Sequence, residues 1–191
     1  MNFKSYLNSL NIADWFSVAR IILFLPLLVF IFTDERLIFT WLLLIAFLTD
    51  AIDGILARRL KIVTKRGAHL DSVGDRLTLL AAFLGVWFFE KSFVLDKIEL
   101  ILIPASLYLI QSLVAFIRFR SGTSFHTYSA KITFLLLAVF TLWLFFFGFE
   151  PALFYFTLIV GITNLIEENI LTIIVRGPRV DIKGLYWFLK N

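Results

Sequence analysis

The sequence predicts an all-α, polytopic membrane protein with six transmembrane helices and an N-terminal amphipathic helix lying at the interface. Three observations lead there. Of 191 residues, 60% are hydrophobic and only 17% charged, and the mean hydropathy is +0.91. A soluble domain of that length would leave too much apolar surface in water. The apolar residues fall into stretches at Phe16–Phe32, Leu37–Ala57, Leu77–Phe89, Ile98–Ile117, Ile132–Phe149 and Pro151–Val175, most of them near the ~20 residues a spanning helix needs. Finally, the basic residues sort by side. Lys4, Arg58, Arg59, Lys61, Lys65, Arg66, Arg118, Arg120, Lys131, Arg176, Arg179, Lys183 and Lys190 fall on one face, against Arg36, Lys91 and Lys97 on the other. The positive-inside rule makes the richer face cytoplasmic, with both termini there.

Taken in order, residues 1–15, MNFKSYLNSLNIADW, are amphipathic and lack a small-residue cleavage site. They read as an interfacial lead-in helix rather than a removable signal peptide. The first span carries Arg20, expected to snorkel to the inner interface. The third is short unless Asp71 to Arg76 are helical too. On the fourth, Gln111 and Arg118 are seven apart and share a face, and Lys131 opens the fifth. Asn164, Glu167 and Glu168 lie in the cytoplasmic part of the sixth, where the two acids are expected to pair with Arg118 or Lys131. Trp15, Trp41, Trp87, Trp143 and Trp187 need no role beyond lipid contact and interfacial belts. The absence of cysteine rules out disulfides, a thiolate nucleophile and Cys-ligated metal. A single membrane domain over 1–191 is expected, with no nucleic-acid partner.

The polar chemistry concentrates in residues 50–75, DAIDGILARRLKIVTKRGAHLDSVGD, at the cytoplasmic ends of the second and third spans. At about 100° per residue, Asp50, Asp53, Gly54 and Ala57 share one helix face. Asp71 and Asp75, four apart, stack on the next helix with Gly74 and Thr78 on the same stripe. Unpaired, such acids are costly, about 2.5 to 3.5 kcal/mol each at a helix centre. Cations must therefore sit among them. Oxygen ligands without imidazole or thiolate suit Mg²⁺ or Mn²⁺, with Ca²⁺ also compatible. Two divalent ions, or one ion and a protonated acid, would settle the charge. The plainer reading pairs these acids with neighbours such as Arg58, Arg59, Lys61, Lys65, Arg66 and Arg76 as interfacial salt bridges. Arg58 could also neutralise a phosphate, and Gly67 could let the loop turn back tightly.

The pattern Asp50-x-x-Asp53-Gly54-x-x-Ala57-Arg58, eight residues, Gly67-x-x-x-Asp71-x-x-x-Asp75 matches the signature of the CDP-alcohol phosphotransferase family at all eight fixed positions, and the chain is identified by it as a member. The layout of six spans with basic cytoplasmic loops also resembles that family. The resemblance implies a membrane transferase of phospholipid synthesis that moves a phosphatidyl or phospho-alcohol group from a CDP-linked lipid donor to a small alcohol, releasing CMP. It implies that Asp50, Asp53, Asp71 and Asp75 hold two divalent ions, Mg²⁺ or Mn²⁺, with Asp75 also the catalytic base. Gly54, Ala57, Arg58 and Gly67 would line the nucleotide site, and a homodimer in the bilayer is typical of the family.

For the acceptor, Arg118, Arg120 and Lys131 suit an alcohol that carries its own phosphate, although they also suit contact with anionic headgroups. Lys131 is similar to the lysine that opens the fifth span of phosphatidylglycerophosphate synthases, without the Gly-Lys-x-Lys-Thr context common there. Glycerol 3-phosphate is thus the leading acceptor. Inositol 1-phosphate, inositol, serine, or diacylglycerol with a CDP-headgroup donor are the alternatives. His126 is expected to be structural, and His69 carries no assignment. The competing class is a divalent-cation transporter, since intramembrane acids also mark ion paths. Against it, Asp34, Glu35, Glu90, Asp96, Glu99 and Glu150 only flank or cap helices on the outer side.

Overall fold

The computed structural model describes residues 12–60, 64–120, 127–175 and 182–190, with their side chains except at residues 13, 53–60, 65, 66 and 68. Residues 1–11 of the expected interfacial helix lie outside the described residues, as do Lys4, Lys61, His126, Arg176 and Arg179. The described residues are helical apart from their connections. They form two compact units, Met1–Lys91 and Ser92–Asn191.

The first unit contains α1 (Ile12–Phe32), α2 (Arg36–Leu60) and α3 (Lys65–Phe89). Residues 12–15, expected in the lead-in helix, are instead the opening turn of α1, where the Asp14 side chain is buried. An acid in the first turn of a helix is favoured by the helix dipole. α1 closes in a tight reversal. The Asp34 N–H donates to the Ile31 carbonyl (3.3 Å) and the Glu35 N–H to the Phe30 carbonyl (3.0 Å), with Asp34 at φ 59°. This is a Schellman closure with aspartate in the left-handed position. α2 therefore starts at once and runs back along α1. At the same end, Arg36 pairs with Glu90 beyond α3 at 2.6 Å, and the Phe32–Phe88 and Phe39–Phe89 rings pack at 5.7 and 5.3 Å. Leu27, Phe39, Leu43, Ala46 and Ala81 fill the interior.

At the opposite end the Thr64 side chain caps α3 by accepting from the Gly67 N–H at 2.9 Å. Because α3 begins at Lys65, the stretch from Asp71 to Arg76 is helical, and the third span runs over His69–Phe89. That removes the shortness the apolar run alone suggested.

In the second unit a short helix, α4 (Lys91–Asp96), leads into α5 (Ile98–Phe119), α6 (Tyr128–Phe147), α7 (Pro151–Ile174) and α8 (Leu185–Lys190). α7 packs against both α5 and α6. Phe93 seats among Phe140, Phe149 and Phe154, with ring centroids 5.0 to 5.9 Å apart. The α6–α7 turn uses Gly148 at φ 90°, ψ −173°, a region essentially reserved for glycine. Pro151 then occupies the first turn of α7, and the Glu150 side chain accepts from the Ala152 N–H at 3.2 Å.

Among the described residues, five helices are long and apolar enough to cross a bilayer: Asp14–Phe32, His69–Phe89, Ile98–Phe119, Tyr128–Phe147 and Pro151–Ile174. The chain is a polytopic integral membrane protein. The remaining expected span, Leu37–Ala57, coincides with α2, whose 25 residues measure about 37 Å along the axis.

Candidate active site

Three of the motif aspartates, Asp50, Asp71 and Asp75, meet at the end of the first unit away from the Arg36–Glu90 pair. Asp71 and Asp75 occupy successive turns near the start of α3, and Asp50 lies on α2. One carboxylate oxygen from each of Asp50, Asp71 and Asp75 falls within 4.8 Å of the others. All three side chains keep a partial solvent exposure, 26%, 45% and 38% respectively. The three acids therefore stay partly uncovered by protein, two of them on a membrane-crossing helix. Asp53, Gly54, Ala57 and Arg58 lie on α2, but their side chains fall outside those described.

A cation from α1 enters the cluster. Arg20 Nη1 donates to Asp50 Oδ1 and to Asp75 Oδ1 (2.5 Å), and Nη2 donates to Asp71 Oδ1 (2.6 Å). Its side chain is wholly buried, so the expectation that Arg20 snorkels to the interface is corrected. A guanidinium stranded inside a helix bundle is stable only against anions, and three carboxylates supply them. Among the described side chains these three acids bond Arg20 on another helix, while Arg58, Arg59, Lys61, Lys65 and Arg66, the neighbours of the plainer reading, lie outside the described side chains. The signal was present in the sequence as a lone Arg inside an apolar run.

Gly67 and Gly74 fit the same assembly. A Cβ at Gly67 would collide with the Asp14 carboxylate and lie 3.1 Å from Thr64 Oγ, so glycine here lets the start of α1 close on the start of α3. At Gly74 the added atom would stand 3.5 Å from Arg20 Cβ and 3.6 Å from Cζ, in ordinary contact with the arginine stem. One turn past Asp75, the Thr78 hydroxyl is buried with no hydrogen-bond partner among the described residues.

In the second unit, Gln111 and Arg118 do face the same neighbour, α7. Gln111 Nε2 donates to Glu168 Oε2 at 2.8 Å. The Arg118 guanidinium donates to the Ile173 carbonyl and reaches the Val175 carbonyl at 3.5 Å, covering groups that the end of a helix leaves open. Glu167 accepts from Ser129 Oγ and, at 2.7 Å, from the Leu185 N–H. The expected pairing of these two acids with Arg118 or Lys131 is thus replaced by bonds to Gln111, Ser129 and the backbone of α8. Lys131 Nζ lies 5.6 Å from the Tyr128 ring centroid, and Arg120 ends α5 exposed, at φ 52°.

Residues 10–163 match the sequence model of the CDP-alcohol phosphatidyltransferase family. The chain belongs to that family. No curated protein and no solved structure matched it. This CDP-alcohol phosphatidyltransferase is accordingly a membrane enzyme of phospholipid synthesis, taking a CDP-alcohol donor and an alcohol acceptor. Its aspartate triad offers only oxygen donors, converging closely enough to share a hard divalent cation after a small contraction.

Proposed function

We propose that this enzyme transfers the phosphatidyl group of CDP-diacylglycerol to glycerol 3-phosphate and releases CMP, as a phosphatidylglycerophosphate synthase does. The observation that carries the reading is the convergence of Asp50, Asp71 and Asp75 from two helices on one point. Asp53, on the same face of α2 as Asp50, completes a set for two divalent ions, Mg²⁺ or Mn²⁺. When bound, such ions neutralise charge that develops on the phosphate oxygens during in-line displacement.

The chain's own residues do the rest. Asp75 accepts the proton of the acceptor hydroxyl as its oxygen attacks the phosphorus that bears the diacylglycerol. The new O–P bond forms as the bond between the two phosphates breaks, and the electron pair leaves on CMP. Before metal binds, the Asp75 carboxylate bonds Arg20 at 2.5 Å and stays partly exposed. Gly54, Ala57, Arg58 and Gly67 line the nucleotide site. Arg58 supplies positive charge to a phosphate, and the small residues give the donor access to the helix backbone.

Arg118, Arg120 and Lys131 are the acceptor residues on this reading. Their support is chemical: an acceptor with its own phosphate needs guanidinium or ammonium partners. Residues 1–191 work as one catalytic domain, in a homodimer, with the site and both termini on the cytoplasmic side, in line with the sorting of basic residues.

The test is CMP release by purified protein given CDP-diacylglycerol and Mg²⁺, with glycerol 3-phosphate, inositol 1-phosphate, inositol, serine and choline compared. Stimulation by glycerol 3-phosphate alone is the expected result. Stimulation by another alcohol would reassign the acceptor, and none by any of them would discard this donor and acceptor set.

A further inference from the structure

Arg20 and a divalent cation would claim the same three carboxylates. The guanidinium bonds Oδ1 of Asp50, Asp71 and Asp75, and it is from these three residues that the converging metal-ligand oxygens come. An Mg²⁺ ion sits about 2.0 to 2.1 Å from its oxygens. Bound to oxygens already 2.5 and 2.6 Å from Arg20 nitrogens, it would meet the guanidinium at contact distance, with its two charges facing a third of the same sign. The two cations therefore compete for those carboxylates. The charges nevertheless sum to zero when all are near: three carboxylates against one guanidinium and one dication.

We propose that Arg20 is the resident counter-ion of the triad, a positioning residue that holds the three carboxylates together before metal arrives and gives up their Oδ1 atoms when a divalent cation binds. Without it, the acids would repel one another and splay α2 from α3. With it, the oxygens stay gathered, but each metal ion must first displace a buried guanidinium. A Cβ at Gly74 would stand 3.5 and 3.6 Å from Arg20 Cβ and Cζ, so glycine there leaves the guanidinium one neighbour fewer on its α3 side. Arg20 therefore lowers metal affinity while keeping the site formed. This inference rests on the reading of the triad as the divalent-cation site.

The experiment measures Mn²⁺ binding by electron paramagnetic resonance on full-length, chelator-stripped protein in nanodiscs, together with the thermal unfolding midpoint with and without Mn²⁺. Wild type, Arg20→Gln, Arg20→Lys and Asp71→Asn are compared. Arg20→Gln should bind Mn²⁺ at least tenfold more tightly than wild type, unfold at lower temperature in chelator, and gain more from added Mn²⁺. Arg20→Lys, which keeps the charge but not the fork, should fall between them. A residue that merely scaffolds the site would weaken Mn²⁺ binding when replaced. Unchanged or weaker binding in Arg20→Gln thus overturns the inference while leaving the metal site standing. If Arg20→Gln cannot be purified without metal, Arg20→Lys decides by the same sign. Equal, negligible binding in wild type and Asp71→Asn would remove the metal site itself, and the inference with it.

Discussion

Replacing Asp75 by Asn separates chemistry from folding at the centre of the site. Asn keeps the shape and one oxygen but loses the charge that takes a proton and neutralises a cation. A lost general base costs about 10² to 10⁴ in rate. Weaker cation binding adds to this, so CMP release should fall by at least about 10³, equivalent to ~4 kcal/mol of transition-state stabilisation. Stability should change far less. The bond from Arg20 to residue 75, 2.5 Å long in the wild type, loses its ion-pair character but keeps a charged donor, so it stays within the range of hydrogen bonds to charged groups, about 1.5–3 kcal/mol. Relief of repulsion among the carboxylates offsets part of that loss. Arg20 also keeps its bonds to Asp50 and Asp71. The assay is CMP release from CDP-diacylglycerol with Mg²⁺ and glycerol 3-phosphate, run beside size-exclusion chromatography and thermal unfolding. CMP release within tenfold of wild type, from protein that elutes and melts normally, would refute the assignment of Asp75 as base and ligand.

Chelation with EDTA should bring CMP release to background, and Mg²⁺ or Mn²⁺ should restore it; turnover that persists in chelator would count against a metal-dependent step. Gly148→Ala forces a side chain into the φ 90° turn between α6 and α7 and should cost about 1–3 kcal/mol, read as a lower unfolding midpoint. An unchanged midpoint would mean that the turn relaxes without strain. Glu167→Gln leaves one acceptor oxygen where the carboxylate serves both Ser129 and the Leu185 N–H. Loss of one such bond, about 1.5 kcal/mol or more, should speed limited proteolysis near residues 182–190 by roughly tenfold, and equal cleavage rates would show that other contacts hold the segment.

The helices and the aspartate cluster were legible because each rests on a local rule. Apolar runs of spanning length marked α1, α5, α6 and α7, and the i, i+4 spacing placed Asp71 and Asp75 on one stripe, as the structure has them. What the sequence hid depends on partners distant in the chain. Arg20 lies 30 residues from Asp50 and 55 from Asp75, and no periodicity connects a cation on one helix to anions on two others. Counting charges by face left it aside as an interfacial residue. Glu167 and Glu168 were matched to the basic side chains at hand, but a neutral amide, a hydroxyl and a backbone N–H already satisfied them. The start of α3 was ambiguous in hydropathy because Lys65 to Arg76 are polar. The Thr64 cap fixes it there.

The reversal at Asp34 and the Arg36–Glu90 pair give the first unit a built-in asymmetry of motion. One end of its three helices is clasped by a hydrogen-bonded turn, an ion pair and stacked phenylalanines. At the other, one guanidinium bonds acids of both α2 and α3. If Arg20 yields to a cation, the helices should part at the aspartates and stay closed at Asp34. Spin labels placed beside the aspartates would register the full stroke on metal exchange, and labels beside Asp34 almost none.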